Sequence, residues 1–215
     1  MKLIDLSHTI ASDMPQWPGD DQPLKIHRVS EHGTDSHMSS KLEFGCHIGT
    51  HIDGALHFLD GQPGMDALPL DAFTGRALVV DATTAGADAA APALLEGALL
   101  EGWDLTDVDF VLLATGWDRF WRQPGYYRHW PSLSEGLAHL LAASGLKGVG
   151  LDTPSLDVHG GSLAHEICAA AGMINIENLK GLVPYADKVI NFQALPLKLE
   201  ATEASPVRAV AWLDQ

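Results

Sequence analysis

The chain has 215 residues, enough for one sizeable core and one domain spanning 1–215. Its 28 acidic residues against 13 Lys and Arg give a formal net charge of −15, which disfavours nucleic acid and anionic membranes as partners. Two cysteines are too few for a disulfide framework, Met1–Leu6 holds no signal-peptide apolar core and no stretch reaches transmembrane length, so a cytoplasmic protein is expected.

Segments near 2–7 and 24–30 read as short strands, joined by a loop punctuated by Pro15, Pro18, Gly19 and Pro23. A longer strand is expected over 41–53. Its even positions are Leu42, Phe44, Cys46, Ile48, Thr50 and Ile52, all apolar or β-branched, and its odd positions include Lys41, Glu43, His47, His51 and Asp53. Such alternation places the polar set on one face of a half-buried strand and Cys46 in the core. At about 3.3 Å per residue, an unbroken strand would hold His47 and His51 about 13 Å apart, too far to share an ion. A kink or bulge is therefore expected at Gly49, where a missing Cβ also admits close approach.

Further strands are expected at 77–82, 110–114 and 148–151, and helices at 92–100, at 132–143 (closed by Gly145) and at 162–171 (ended by Gly172). The Ala-rich stretch 85–100 reads as a surface helix. Strands near 173–176, 188–193 and 207–213 close the chain. The middle reads as βαβ units and both ends as antiparallel strands, a mixed α/β sheet.

The chemistry concentrates in the eleven residues from His47 to His57, which hold three imidazoles and a carboxylate: His47, His51, Asp53 and His57. Neutral imidazole nitrogen and carboxylate oxygen are the donors that Zn²⁺ or Mn²⁺ takes in a reactive site. His57 follows the strand by four residues and, taken alone, could be a loop residue without a role. His27, His32, His37, His129, His139 and His159 read as surface or structural. A second pair comes later: His165 near the start of the 162–171 helix, and Glu177 at the end of the following strand. Alone it would pass for a solvated helix face with a strand-end acid. Its weight comes from a possible second ion sharing Asp53, since two metals roughly 3.5–4 Å apart bridged by carboxylates recur in hydrolases. There is no Gly-x-Ser-x-Gly elbow, dinucleotide fingerprint or phosphate loop.

The run His47-x-Gly-Thr-His51-x-Asp53-x-x-x-His57 resembles the signature of the bacterial cyclase-like metal-dependent hydrolases, the family of bacterial kynurenine formamidase. The likeness extends along nearly the whole chain, through Met14-Pro-Gln-Trp-Pro-Gly-Asp20, Thr115-Gly-Trp117, Leu151-Asp-Thr-Pro-Ser-Leu-Asp157, Ile176-Glu-Asn-Leu179, Leu195-Pro-Leu-Lys-Leu199 and Ser205-Pro-Val-Arg-Ala209. The resemblance implies a cyclase-like domain of the swivelling β/β/α kind, assembled as a homodimer or homotetramer with the site at the interface. It further implies that His47, His51, Asp53 and Glu177 hold one ion, and that Asp53, His165 and Glu177 hold another. On the same basis His57 is the general acid/base and Trp17 flanks the substrate. The sequence departs from the family at Ala55, where relatives carry a proline two residues before the catalytic histidine, and the preceding Gly54 adds flexibility.

The expected reaction is hydrolysis of a small-molecule amide. Two Zn²⁺ (or Mn²⁺) per chain would lower the pKa of bound water toward about 7, and the resulting hydroxide would attack the carbonyl. His57 would protonate the departing amine. An aryl formamide such as N-formyl-L-kynurenine suits such a site, with Trp17, Phe58, Trp117 and Trp121 as candidate aromatic surface. Three alternatives stay open. A single-Mn²⁺ hydrolase opening a cyclic amide such as isatin, or a lactone, would use His47, His51, Asp53 and His57. A non-haem Fe(II) oxygenase could use His51-x-Asp53 with a distant histidine. A non-catalytic metal-binding protein would leave a filled but inert site.

Overall fold

The computed structural model describes residues 2–19, 23–85 and 92–214, so Asp20 of the Met14–Asp20 run and the 86–91 part of the Ala-rich stretch lie outside the described residues. Along the chain come strands β1 (Ile4–Asp5), β2 (Lys25–Ser30), β3 (Ser39–Glu43), β4 (His51–Asp53), β5 (Thr74–Asp81), β6 (Leu94–Leu95), β7 (Phe110–Ala114) and β8 (Ser132–Leu133). Helix α1 (Glu135–Ala143), strand β9 (Gly148–Leu151), helix α2 (Leu163–Ala170) and strands β10 (Ile174–Glu177), β11 (Lys188–Pro196) and β12 (Ala204–Trp212) follow.

Eight strands form one mixed sheet in the order β1-β12-β11-β5-β7-β9-β10-β4. The pairs β5–β7, β7–β9 and β9–β10 are parallel, while β4, β11 and β12 join antiparallel. Because β4 pairs with β10 on one side and with the start of β12 on the other, the sheet closes into a barrel. β1 takes the far end of the same β12 edge, with Ile4 opposite Ala211. The architecture is thus mixed α/β with a closed sheet.

Strict alternation sends neighbouring side chains to two cores. Ala77, Val79, Phe110, Leu112, Ile174, Ile176, Phe192 and Ala209 pack inside the barrel. Leu78, Val80, Val111, Leu113, Val149 and Leu151 face the other way, against Leu137 and Leu141 of α1 and Ala164 and Cys168 of α2. Buried on both faces, these strands read as continuous apolar runs. On β9 the inward positions are Gly148 and Gly150. A Cβ there would run into the Ile174 carbonyl or into Leu112 and Leu179, so their bareness makes room for the barrel filling.

The expected strand over 41–53 is broken. β3 pairs with β2 in a separate hairpin, residues 44–50 form a loop, and Gly49 turns with φ +60° before β4 begins. The expected helix at 92–100 is absent. Leu94 and Leu95 form β6, paired in parallel with β8, and Gly97–Leu100 make a 3-10 turn. One buried and one exposed leucine suit an edge pair, and Gly97 opposes a longer helix. The helix expected from 132 starts at 135, because the Ser134 hydroxyl caps it by accepting from the Leu137 N–H at 3.2 Å. Among the described residues no helix is long and apolar enough to cross a membrane.

Candidate metal centre

Strand register assembles the site. His51 lies opposite Glu177, and Asp53 lies opposite both Asn175 and Ala204. Ile52 and Ile176 fill the barrel, so His51, Asp53 and Glu177 project from the opposite face of the sheet, where α2 presents His165. The turn at Gly49 folds the preceding loop back, and the His47 and His51 ring centroids come to 5.3 Å.

Both buried histidines are oriented through Nδ1. In His51 this atom lies 3.0 Å from the Gly49 carbonyl, which leaves Nε2 for the carboxylates. His165 is oriented by Asp157, which accepts from the Ala164 and His165 backbone N–H groups at 2.8 and 3.1 Å and meets His165 Nδ1 at 2.6 Å. One carboxylate therefore satisfies the first turn of α2 and fixes a ring.

The two other carboxylates lie between these rings. His51 Nε2 stands 3.5 Å from Asp53 Oδ1 and 3.4 Å from Glu177 Oε2. His165 Nε2 stands 3.7 Å from Asp53 Oδ2 and 3.0 Å from Glu177 Oε1. Each carboxylate thus turns one oxygen to each histidine. His47 Nδ1 reaches Asp53 Oδ1 at 2.8 Å, and its Nε2 lies 3.3 Å from Glu203. His57 sits on the 3-10 turn Ala55–His57, more exposed than the rest, with its ring 4.2 Å from that of His47 and 6.4 Å from that of His165. These seven residues and Trp17 line one cavity of about 600 Å³.

Two observations show that a divalent ion fits this donor set. Asp53 Oδ1 is buried and accepts no hydrogen bond; the 2.8 Å approach of His47 Nδ1 has a hydrogen bond's length but not its alignment. Leaving such an oxygen unserved costs about 1–3 kcal/mol or more. Metal–ligand bonds of about 2.0–2.2 Å also place ligand atoms about 3.3 Å apart around a tetrahedral ion. The His51 separations of 3.4 and 3.5 Å match that edge and exceed the roughly 2.7–2.9 Å of charge-assisted hydrogen bonds. His51, Asp53 and Glu177 each offer an atom within 4.8 Å of the others, and so do His47, Asp53 and His57.

The charges are interdependent. Burial disfavours a protonated His51, but Asp53, Glu177 and the Gly49 carbonyl push it up to about 9. Burial likewise opposes protonation of His165, yet Asp157 and Glu177 raise it to about 10. Burial lifts Asp53 and Glu177, and the imidazoles more than offset it, holding both below the usual carboxylate range. His57 is held below its ordinary value, first by burial and then by His47 and His165, against the pull of Asp53.

Of the aromatic candidates, Trp17 and Phe58 line the cavity, whereas Trp117 and Trp121 do not. Trp117 is fully buried and donates its indole N–H to the Tyr126 carbonyl at 3.0 Å, and Trp121 stacks on His8 at 4.0 Å. Tyr127 takes their place at the cavity wall. Cys46, expected in the core, also lines the cavity, because the loop over 44–50 abolishes the strand face it was assigned to. The sequence reading assigned no site role to Asp157, Glu203 or Asn178, although Asp157 and Asn178 lie in the Leu151–Asp157 and Ile176–Leu179 runs. For Asp157 there was a usable signal, an acid just ahead of a helix start at Ser162.

A family model described as "Putative cyclase" matches residues 4–158. The kynurenine formamidase of Salinibacter ruber (strain DSM 13855 / M31) is 32% identical over 222 residues, covering 98% of this chain and 97% of that protein. Among solved structures, isatin hydrolase A from Ralstonia solanacearum superposes with a TM-score of 0.88 at 22% identity, covering 99% of this chain and 92% of that one. A predicted metal-dependent hydrolase from Bacillus stearothermophilus superposes with a TM-score of 0.80 at 25% identity, covering 98% and 97%.

Proposed function

The chain belongs to the Cyclase family, and from that premise we propose that it is a metal-dependent hydrolase of carbon–nitrogen amide bonds whose substrate is an aryl formamide such as N-formyl-L-kynurenine. The observation that carries the reading is the spacing of His51 Nε2, 3.4–3.5 Å from one oxygen of each buried carboxylate, which suits ligands of a common ion. The 32% identity to a kynurenine formamidase over almost the whole of both chains supports the formamide class.

His47, His51, Asp53 and Glu177 would hold one Zn²⁺ or Mn²⁺, and Asp53, His165 and Glu177 a second. Such ions, when bound, polarise an amide carbonyl and lower the pKa of water toward about 7. His57, held below its ordinary value, is neutral at pH 7 and can take a proton. From the cavity wall it receives that proton from the attacking water and passes it to the nitrogen of the departing amine, a task worth about 10²–10⁴-fold. Trp17, Phe58 and Tyr127 offer apolar faces to an aryl ring. Asp157 and the Gly49 carbonyl keep the His165 and His51 rings from turning away.

A second reading is favoured by the mutual approach of His47, Asp53 and His57 within 4.8 Å. In a single-Mn²⁺ cyclic-amide hydrolase His57 would be a ligand, and His165 and Glu177 would be idle. Hydrolysis of N-formylkynurenine and of isatin, measured side by side with bound metal counted per chain, separates the two. Formamide turnover with two ions is expected. Isatin turnover alone, with one ion, would replace the first reading by the second.

A further inference from the structure

We propose that Asn178, anchored by the buried phenol of Tyr126, is a positioning residue that fixes the His51 ring for metal binding. The proposal rests on the reading of His51 as a ligand. Asn178 follows Glu177 directly and is buried, with a left-handed backbone at φ +56°. Its side-chain Nδ2 donates to the Gly49 carbonyl at 3.0 Å, and its Oδ1 accepts from the Tyr126 hydroxyl at 2.7 Å. Gly49 O can only accept, so this is the one amide orientation that satisfies both partners. The same carbonyl receives His51 Nδ1 at 3.0 Å, and its two lone pairs are thereby filled by ligand and support.

The Gly49 carbonyl needs that support. It belongs to a glycine at φ +60°, near the end of the 44–50 loop just ahead of β4, and glycine is the residue type with the freest backbone. A rotation of this peptide would carry the acceptor away from His51 and release the ring. Asn178 opposes the rotation from an anchored backbone: its N–H donates to Thr153 O at 2.9 Å, and its own carbonyl accepts from the Thr50 hydroxyl at 2.6 Å. Tyr126 stands in the cluster with Trp117 and Trp130, so these buried aromatics buttress a metal ligand, while the neighbouring Tyr127 lines the cavity. Burial keeps the Tyr126 phenol protonated, as a donor must be.

A simpler account would keep Asn178 only because asparagine tolerates the left-handed backbone. Glycine tolerates it better and carries no amide, so Asn178→Gly separates the two. Zn²⁺ titration by calorimetry on the chelated wild type, Asn178→Gly and Tyr126→Phe is the test. Wild type is expected to bind, Asn178→Gly to bind about 10–100-fold more weakly, and Tyr126→Phe about tenfold more weakly. Asn178→Gly within twofold of wild type would overturn the proposal. If Asn178→Gly does not fold, Tyr126→Phe decides alone, and binding within twofold of wild type overturns it equally. A wild type that takes up no Zn²⁺ would overturn the ligand reading of His51 and this proposal with it.

Discussion

A histidine becomes a useful ligand when something fixes its other nitrogen, and at His165 that group is Asp157 at 2.6 Å. Asp157→Asn would keep one oxygen to accept from the first turn of α2 but would lose the second acceptor and the charge that faces the ring. Asp157→Asn should therefore weaken Zn²⁺ binding about tenfold and, by removing the first of the groups that hold a proton on His165, lower the melting temperature of the chelated protein near neutral pH, as calorimetry and thermal melts would show. At His57 the expectation is reversed: His57→Ala should keep its ions and lose about 10²–10⁴-fold in kcat. Loss of an ion in that variant would move His57 from proton carrier to ligand. His47, His51, Asp53 and His57 could be picked out from the sequence because eleven residues hold them all. Glu203 and Asn178 could not, since their meaning lies in contacts with residues more than a hundred positions away, at His47 and Gly49.

At the level of elements, bare positions matter as much as side chains. β9 leaves Gly148 and Gly150 against a filled barrel, and Gly148→Ala would press a Cβ on the Ile174 carbonyl and Phe110. Overpacking of this kind costs about 1–3 kcal/mol, which denaturant unfolding of the variant would register. Gly54, before the His57 turn, is also constrained, since a Cβ there would strike Met65, and its N–H donates to Glu203 O at 2.9 Å. The 3-10 turn that carries His57 therefore forms with Ala55 in place of the family's proline, held from the β12 side of the site. Apolar runs marked β5, β7 and β9 correctly, and the Ser162 and Gly172 signals marked α2. The helix expected at 92–100 failed because its leucines satisfy a parallel pairing with Ser132–Leu133, a partner that local pattern does not reveal. Alternation over 41–53 ended at Glu43, six residues before the kink expected at Gly49, because residues 44–50 form a loop that turns at Gly49, and the separate β2–β3 hairpin depended on turn geometry that composition left open.

Across the whole molecule, protonation, stability and metal uptake are linked. His51 and His165 rise from 6.5 to about 9 and about 10, chiefly because their carboxylate partners outweigh burial. A raised imidazole value contributes stability that is complete below 6.5 and is lost as pH climbs through the folded value. The chelated protein should therefore melt at progressively lower temperature from about pH 6.5 to about pH 10, and a flat profile in thermal melts would contradict the account. Asp53 and Glu177, held low, contribute stability that disappears on acidification through their folded values. Metal must displace the imidazole protons, so its affinity should rise over the same alkaline range in which the chelated protein weakens.

The central claim, that this cavity hydrolyses an amide with metal, is tested most directly by one titration. The protein is stripped with chelator, and hydrolysis of N-formylkynurenine is followed while Zn²⁺ or Mn²⁺ is returned in steps with bound ion counted. The account predicts no turnover in the stripped protein and a rise to a plateau at two ions per chain. Turnover that persists undiminished after complete removal of metal would contradict it.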